Sequence, residues 1–146
     1  MRFSMLSLAT GAFGIGMTEF VAMGLLPDIA RDQHVSIPVA GYLISTYALG
    51  VVIGAPTLAI FTRKLQPKTV LAGLMVLFAI GNLLSALAPS FATLLLTRLL
   101  SGLPHGAFFG VGAVVATRLA PRGREAQTMA LMFLGLSLAN VGECQD

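Results

Sequence analysis

Apolar positions along the chain fall in long blocks separated by short polar breaks. A membrane helix needs about 20 apolar residues, and blocks of that size follow one another here. Residues 3–26 make 24 positions interrupted by a single charge, Glu19. Pro27, Asp28, Arg31, Asp32 and His34 then mark a polar loop. Residues 39–61 give 23 positions without a charge, followed by Arg63, Lys64, Pro67 and Lys68. Residues 70–87 give 18 uncharged positions, closed by the turn at Pro89 and Ser90. Residues 91–117 give 27 positions carrying only Arg98 and His105, before a polar loop at 118–125. A fifth block, 126–141, has 16 positions and ends at Gly142, Glu143, Cys144, Gln145 and Asp146. As a helix it would be ~24 Å long, short of the ~30 Å hydrocarbon core. The first block is too long for the apolar core of a cleaved signal peptide and holds Glu19, so it reads as a retained helix. The pattern predicts an all-α membrane protein, a helix bundle with four spans and an incomplete fifth.

Composition narrows the class. Of 146 residues, 56% are hydrophobic and 10% charged, against ~25% charged in soluble domains. The mean hydropathy is +0.88. Nine Lys and Arg with six Asp and Glu cannot clothe a soluble globule. A soluble enzyme, a nucleic-acid module and a disordered chain are therefore excluded. The pI near 9.6 reflects basic residues placed between apolar blocks, as membrane proteins place them. Arg2, Arg63, Lys64, Lys68, Arg118, Arg122 and Arg124 fall on one side of the bilayer, and Arg31 alone on the other. The excess side is the cytoplasmic one, which puts the N-terminus there. A single cysteine, Cys144, excludes an intrachain disulfide and a multi-cysteine metal site. No metal or cofactor is implied.

Ionisable groups inside a span are costly and are candidates for function. Glu19 lies seven residues before the outer end of the first block, and Arg98 seven after the outer start of the fourth. Both are then ~10 Å deep. Opposite charges at matched depth suggest an ion pair or a shared hydrogen-bond network. His105 follows Arg98 by seven residues, almost two helical turns, and Phe109 continues that face. Its unperturbed pKa near 6.5 makes it a usable titrating group. Gly102, Gly106 and Gly110 recur every four residues, and Gly50 and Gly54 repeat the spacing. Such glycines let membrane helices approach closely. Pro56 and Pro104 sit inside spans, where proline kinks a helix and frees carbonyls. Gly11, Gly14 and Gly16 lie in a span without a preceding strand, so they are no dinucleotide fingerprint, and no phosphate-cradling Lys-Ser/Thr loop is present. Ser101 near His105 faintly echoes a serine hydrolase, without the structural context that motif requires.

Several runs carry a family likeness. They are Gly14-Ile-Gly-Met-Thr-Glu-Phe20, Met23-Gly-Leu-Leu-Pro-Asp-Ile-Ala30, the stretch from Ser36 to Pro56, Gly81-Asn-Leu-Leu-Ser-Ala-Leu-Ala-Pro89, His105-Gly-Ala-Phe-Phe-Gly-Val-Gly112 and Met132-Phe-Leu-Gly-Leu-Ser-Leu-Ala-Asn140. Together they resemble the major facilitator superfamily, in its bacterial drug/proton antiporter branch near the arabinose and sugar efflux permeases. The likeness covers residues 8–141. It implies proton-coupled efflux of a small organic solute (a sugar, purine or drug) across a bacterial inner membrane. Arg98 and Gly102 match the family's fourth-helix motif, an Arg four residues before a Gly, associated with proton coupling. Glu19, Arg98 and His105 are thus the expected coupling residues, and Phe13, Thr18, Tyr47 and Phe109 the expected cavity lining. The family's cytoplasmic gating loop carries an Asp-Arg-x-Gly-Arg-Arg core. Lys64 and Lys68 keep its basic character, while Arg63 stands at the Asp and Gln66 at the Gly.

The family has twelve spans in two six-helix halves. The expectation is therefore the first four helices and part of the fifth of an N-terminal half, with a C-terminal half missing through a premature stop, a frameshift or a fragmentary gene model. Its partners would be the lipid bilayer, protons and a small solute, with no nucleic acid. Two alternatives stay open. One is a complete four-helix exporter acting as a homodimer; the other is a non-transporting membrane subunit, in which Glu19 and Arg98 would serve assembly alone. The charge asymmetry makes a direct prediction. A topology reporter fused after Lys68 should read cytoplasmic and one after Pro89 periplasmic; reversed signals would invert the orientation.

Overall fold

The computed structural model of the chain describes residues 2–120 and 123–143. Arg122, Cys144, Gln145 and Asp146 lie outside the described residues. All regular structure within them is helical: α1 (Arg2–Gly24), α2 (Leu26–Asp32), α3 (Ile37–Ala40), α4 (Tyr42–Thr62), α5 (Pro67–Ala86), α6 (Phe91–Leu119) and α7 (Glu125–Glu143). Leu6–Gly24, Ile37–Thr62, Pro67–Ala86 and Phe91–Arg118 are long and apolar enough to cross a membrane. The all-α membrane fold is thus what the structure has. The second apolar block is divided, because α3 ends at Ala40 and α4 starts at Tyr42, with Gly41 capping both.

Local chemistry explains where helices start and stop. Pro27, Pro38 and Pro67 each stand in a first turn, where a missing N–H costs nothing and a fixed φ is already helical. At the start of α6 the Thr93 N–H donates to the Ser90 hydroxyl, 3.3 Å away, a capping contact that satisfies an orphan donor. The end of α2 is closed by His34 in the left-handed region, at φ +53. The Val35 N–H donates to the Ala30 carbonyl at 2.9 Å and the His34 N–H to that of Arg31 at 3.3 Å, capturing carbonyls the helix leaves open. Before α7, Gly123 takes φ +80, and its N–H donates to the Glu125 carboxylate at 3.2 Å.

The chain forms two compact units, the second comprising Leu25–Gly110 and the first the residues on either side of it. In the first, α1 packs along α7. Leu8, Ala12 and Ile15 recur at i, i+4 and i+7 and are buried, so the covered face of α1 is one narrow stripe.

In the second unit α6 is covered on two sides. Leu43, Tyr47, Gly50 and Gly54 form the buried stripe of α4, and Val70, Leu74, Phe78 and Gly81 that of α5. The α4–α6 contact is backbone against backbone. A Cβ on Gly50 would strike the Leu99 carbonyl, one on Gly54 the Leu103 backbone, one on Gly102 the Tyr47 carbonyl, and one on Gly106 the Val51 carbonyl. Against α5, a Cβ on Gly81 would come to 2.8 Å from the Ser101 hydroxyl oxygen. Val52, Phe61, Leu83 and Leu96 point outward, as lipid-facing residues do.

These contacts set unequal prices for one methyl group. Gly54→Ala must push backbone aside, which costs about 1–3 kcal/mol. Gly73 on α5 meets no atom within 4 Å of a Cβ, so Gly73→Ala should be neutral or stabilising by up to ~1 kcal/mol through helix propensity. Thermal unfolding in detergent checks this; equal shifts would mean the close approach is absent.

Candidate functional site

Three polar residues of the second unit, Tyr47, Arg98 and His105, gather beside the glycine contact. Tyr47 sits three residues before Gly50 on α4, and Arg98 and His105 lie four before and three after Gly102 on α6. With no side chain between the backbones at Gly50 and Gly102, Tyr47 reaches both. Its hydroxyl lies 2.8 Å from His105 Nδ1. The Arg98 guanidinium sits over its ring, 5.4 Å from the centroid. His105 in turn packs against Phe109, with centroids 5.1 Å apart and planes tilted by 48°. Phe109 meets Phe108 edge-on at 5.8 Å. The result is a continuous file of cation, phenol, imidazole and phenyl.

Burial gives the file its character. Tyr47 is 5% and Arg98 9% exposed, so Arg98 is buried, where charge is expensive. A face-on aromatic seat recovers ~2 kcal/mol or more when desolvated.

Neighbouring hydroxyls are engaged along their own helix. Ser101 donates to the Thr97 carbonyl at 2.8 Å and Thr97 to that of Leu94 at 2.9 Å. The Ser101 proton is directed at Thr97 while His105 Nδ1 faces Tyr47, an arrangement that does not activate a serine nucleophile.

The remaining candidates are distributed as follows. Phe13, Thr18 and Glu19 are carried by α1, in the first unit. Phe13 is exposed, Thr18 and Glu19 half-buried, and the Thr18 hydroxyl donates to the Gly14 carbonyl at 2.8 Å. Lys64 lies in the turn after α4 and Lys68 in the first turn of α5, both exposed. Gly50, Gly54, Gly102 and Gly106 form the close contact. A Cβ on Gly110 would meet no atom within 4 Å, so the glycine stripe of α6 has a partner over two of its three positions.

Helical spacing puts Arg98, His105 and Phe109 on one face. It does not join Arg98 to His105, because the joining group, Tyr47, comes from another helix. A usable signal existed: Tyr47 with Gly50, and Arg98 and His105 with Gly102, stand at helical offsets from the small residues. Laying the two glycine stripes face to face brings the three side chains together.

Known proteins resemble this chain over nearly its whole length. A sequence model of the Major Facilitator Superfamily matches residues 8–141. The inner membrane transport protein YdhP of Escherichia coli K12 is 52% identical over 141 residues, which is 97% of this chain. The putative transporter AraJ of the same organism is 46% identical over 141 residues. A protein named as a probable sugar efflux transporter in Helicobacter pylori is 37% identical over the same length. The chain spans 36% of the length of each of these relatives.

Proposed function

The chain belongs to the major facilitator superfamily, and from that membership we propose that it forms the N-terminal membrane part of a transporter that exports a small organic solute against proton entry. The observation that carries this reading is the buried Arg98 guanidinium, seated on Tyr47 beside His105 within a bundle of membrane-length helices. Intramembrane charge of this kind marks ion and substrate pathways. Efflux is favoured as the direction by the name of the Helicobacter relative, and the inner membrane as the location by that of YdhP.

Each residue has an assigned part. Glu19 carries the proton, with the permanent charge of Arg98 and the His105 imidazole as the groups that sense its arrival. Phe13, Thr18, Tyr47 and Phe109 line the solute path, and Lys64 and Lys68 belong to the gating loop on the cytoplasmic side. Members of this family work by rocking two halves around a midplane site, so these residues act together with a second half. One proton falling through ~100 mV releases about 2.3 kcal/mol. That sustains a gradient of about 50-fold for a neutral solute, sufficient for export of a sugar-sized molecule.

The test separates coupling from binding. In a full-length transporter bearing this segment, Glu19→Gln and Arg98→Met should each abolish proton-driven accumulation in everted vesicles while solute exchange without a gradient persists. The expected loss is roughly 5- to 150-fold, the range of a coupling free energy of about 1–3 kcal/mol. Full gradient-driven transport by Glu19→Gln would remove the proton from this residue. Loss of exchange together with accumulation would make the residues solute-binding or structural.

A further inference from the structure

Tyr47 touches Arg98 with its ring face and His105 with its hydroxyl. The two contacts are not independent. A cation over the π face draws electron density from the ring and its oxygen, making the phenol a stronger donor and a weaker acceptor. The 2.8 Å contact with Nδ1 then has one favoured polarity. We propose that Tyr47 is a positioning residue: its hydroxyl donates to His105 Nδ1 and holds the neutral imidazole in the tautomer protonated at Nε2, with Arg98 strengthening the donor through the ring. The functional meaning of this tautomer rests on the coupling role given above to Arg98 and His105, but the tautomer is readable without transport.

Three features hold the arrangement. The α4–α6 backbone contact fixes Tyr47 against α6, since the Tyr47 carbonyl itself lies where a Cβ of Gly102 would be. Phe109 packs on the imidazole at 5.1 Å and resists its rotation. Tyr47 is buried, so water competes poorly for the phenol. The exchangeable proton of His105 is thereby placed at Nε2, on the ring edge away from Tyr47. Which nitrogen carries the proton is commonly set by the partner of the other one.

The chain has two histidines, which makes the imidazole directly observable. Nitrogen-15 spectra of histidine-labelled protein in lipid bilayers, with His34→Gln to assign the signals, report each ring nitrogen as protonated or bare. The expected wild-type pattern is a single tautomer with bare Nδ1 and a hydrogen-bond coupling to the Tyr47 hydroxyl. Tyr47→Phe keeps the aromatic seat of Arg98 but removes the donor, and should give a mixture of tautomers. Arg98→Met should shift the ring part of the way toward that mixture. Tyr42→Phe, at an exposed tyrosine, should leave the spectrum unchanged. A protonated Nδ1 in the wild type, or a Tyr47→Phe spectrum like that of the wild type, would overturn the proposal. The wild-type measurement decides alone if Tyr47→Phe does not fold. Because no flux is measured, failure here is distinct from failure of the coupling reading.

Discussion

The contact of α4 with α6 is the constraint on which the polar site depends. In a bilayer, apolar side chains gain little by leaving lipid for another helix, so association relies on close packing and weak polar contacts between backbones. Gly50 and Gly54 accept the carbonyl edges at Leu99 and Leu103, while Gly102 and Gly106 accept those of Tyr47 and Val51. Each helix supplies both the gaps and the atoms that fill them. Backbones this close admit Cα–H···O contacts, worth ~0.5–1 kcal/mol each, and the reciprocity of the approach fixes the register. Sliding one helix by a residue would bring a side chain onto a carbonyl.

Register, in turn, decides which polar groups can meet. Tyr47 stands one turn from Gly50, and Arg98 and His105 stand one turn on either side of Gly102. Helices held apart by leucines would leave the phenol short of one or both. The guanidinium tolerates burial because the ring beneath it replaces part of its lost hydration. The glycine contact therefore serves more than packing: it is the reason a cation, a phenol and an imidazole coexist inside the unit.

Much of this was legible in the sequence, for a physical reason. A bilayer requires ~20 apolar residues per span, so the length of the apolar blocks announced the four membrane-length helices of the described residues and the all-α class. The interruption at Gly41 was not visible, since Gly41 has ordinary right-handed dihedrals and no polar neighbour to mark it. Nor was the left-handed His34, where a glycine would have been the recognisable signal. The i, i+4 glycines advertised close packing, yet spacing does not name a partner: Gly110 shares the periodicity of Gly102 and Gly106 and faces open space. Gly81, which has no glycine four residues away, packs tightly on Ser101. Family likeness puts Tyr47 among the expected cavity residues, but its double contact lies in tertiary register, which no local pattern carries.

The polar side chains of the second unit divide by where their donors go. Thr46, Thr57, Thr62, Asn82, Ser85, Thr97 and Ser101 donate to carbonyls three or four residues earlier on their own helix. Such bonds satisfy a polar group in an apolar medium and survive any rigid movement of the helix that holds them. The Tyr47–His105 bond and the Arg98–Tyr47 contact are of another kind, because they cross between α4 and α6. They persist only while the two backbones keep their register. Glycine packing opposes any change of that register, so a rigid displacement of the two helices together would keep the cation and imidazole in place. The energy of a buried charge changes steeply with small displacements of its partners, so a fixed register between α4 and α6 also fixes the energy of the Arg98 charge against the Tyr47 ring.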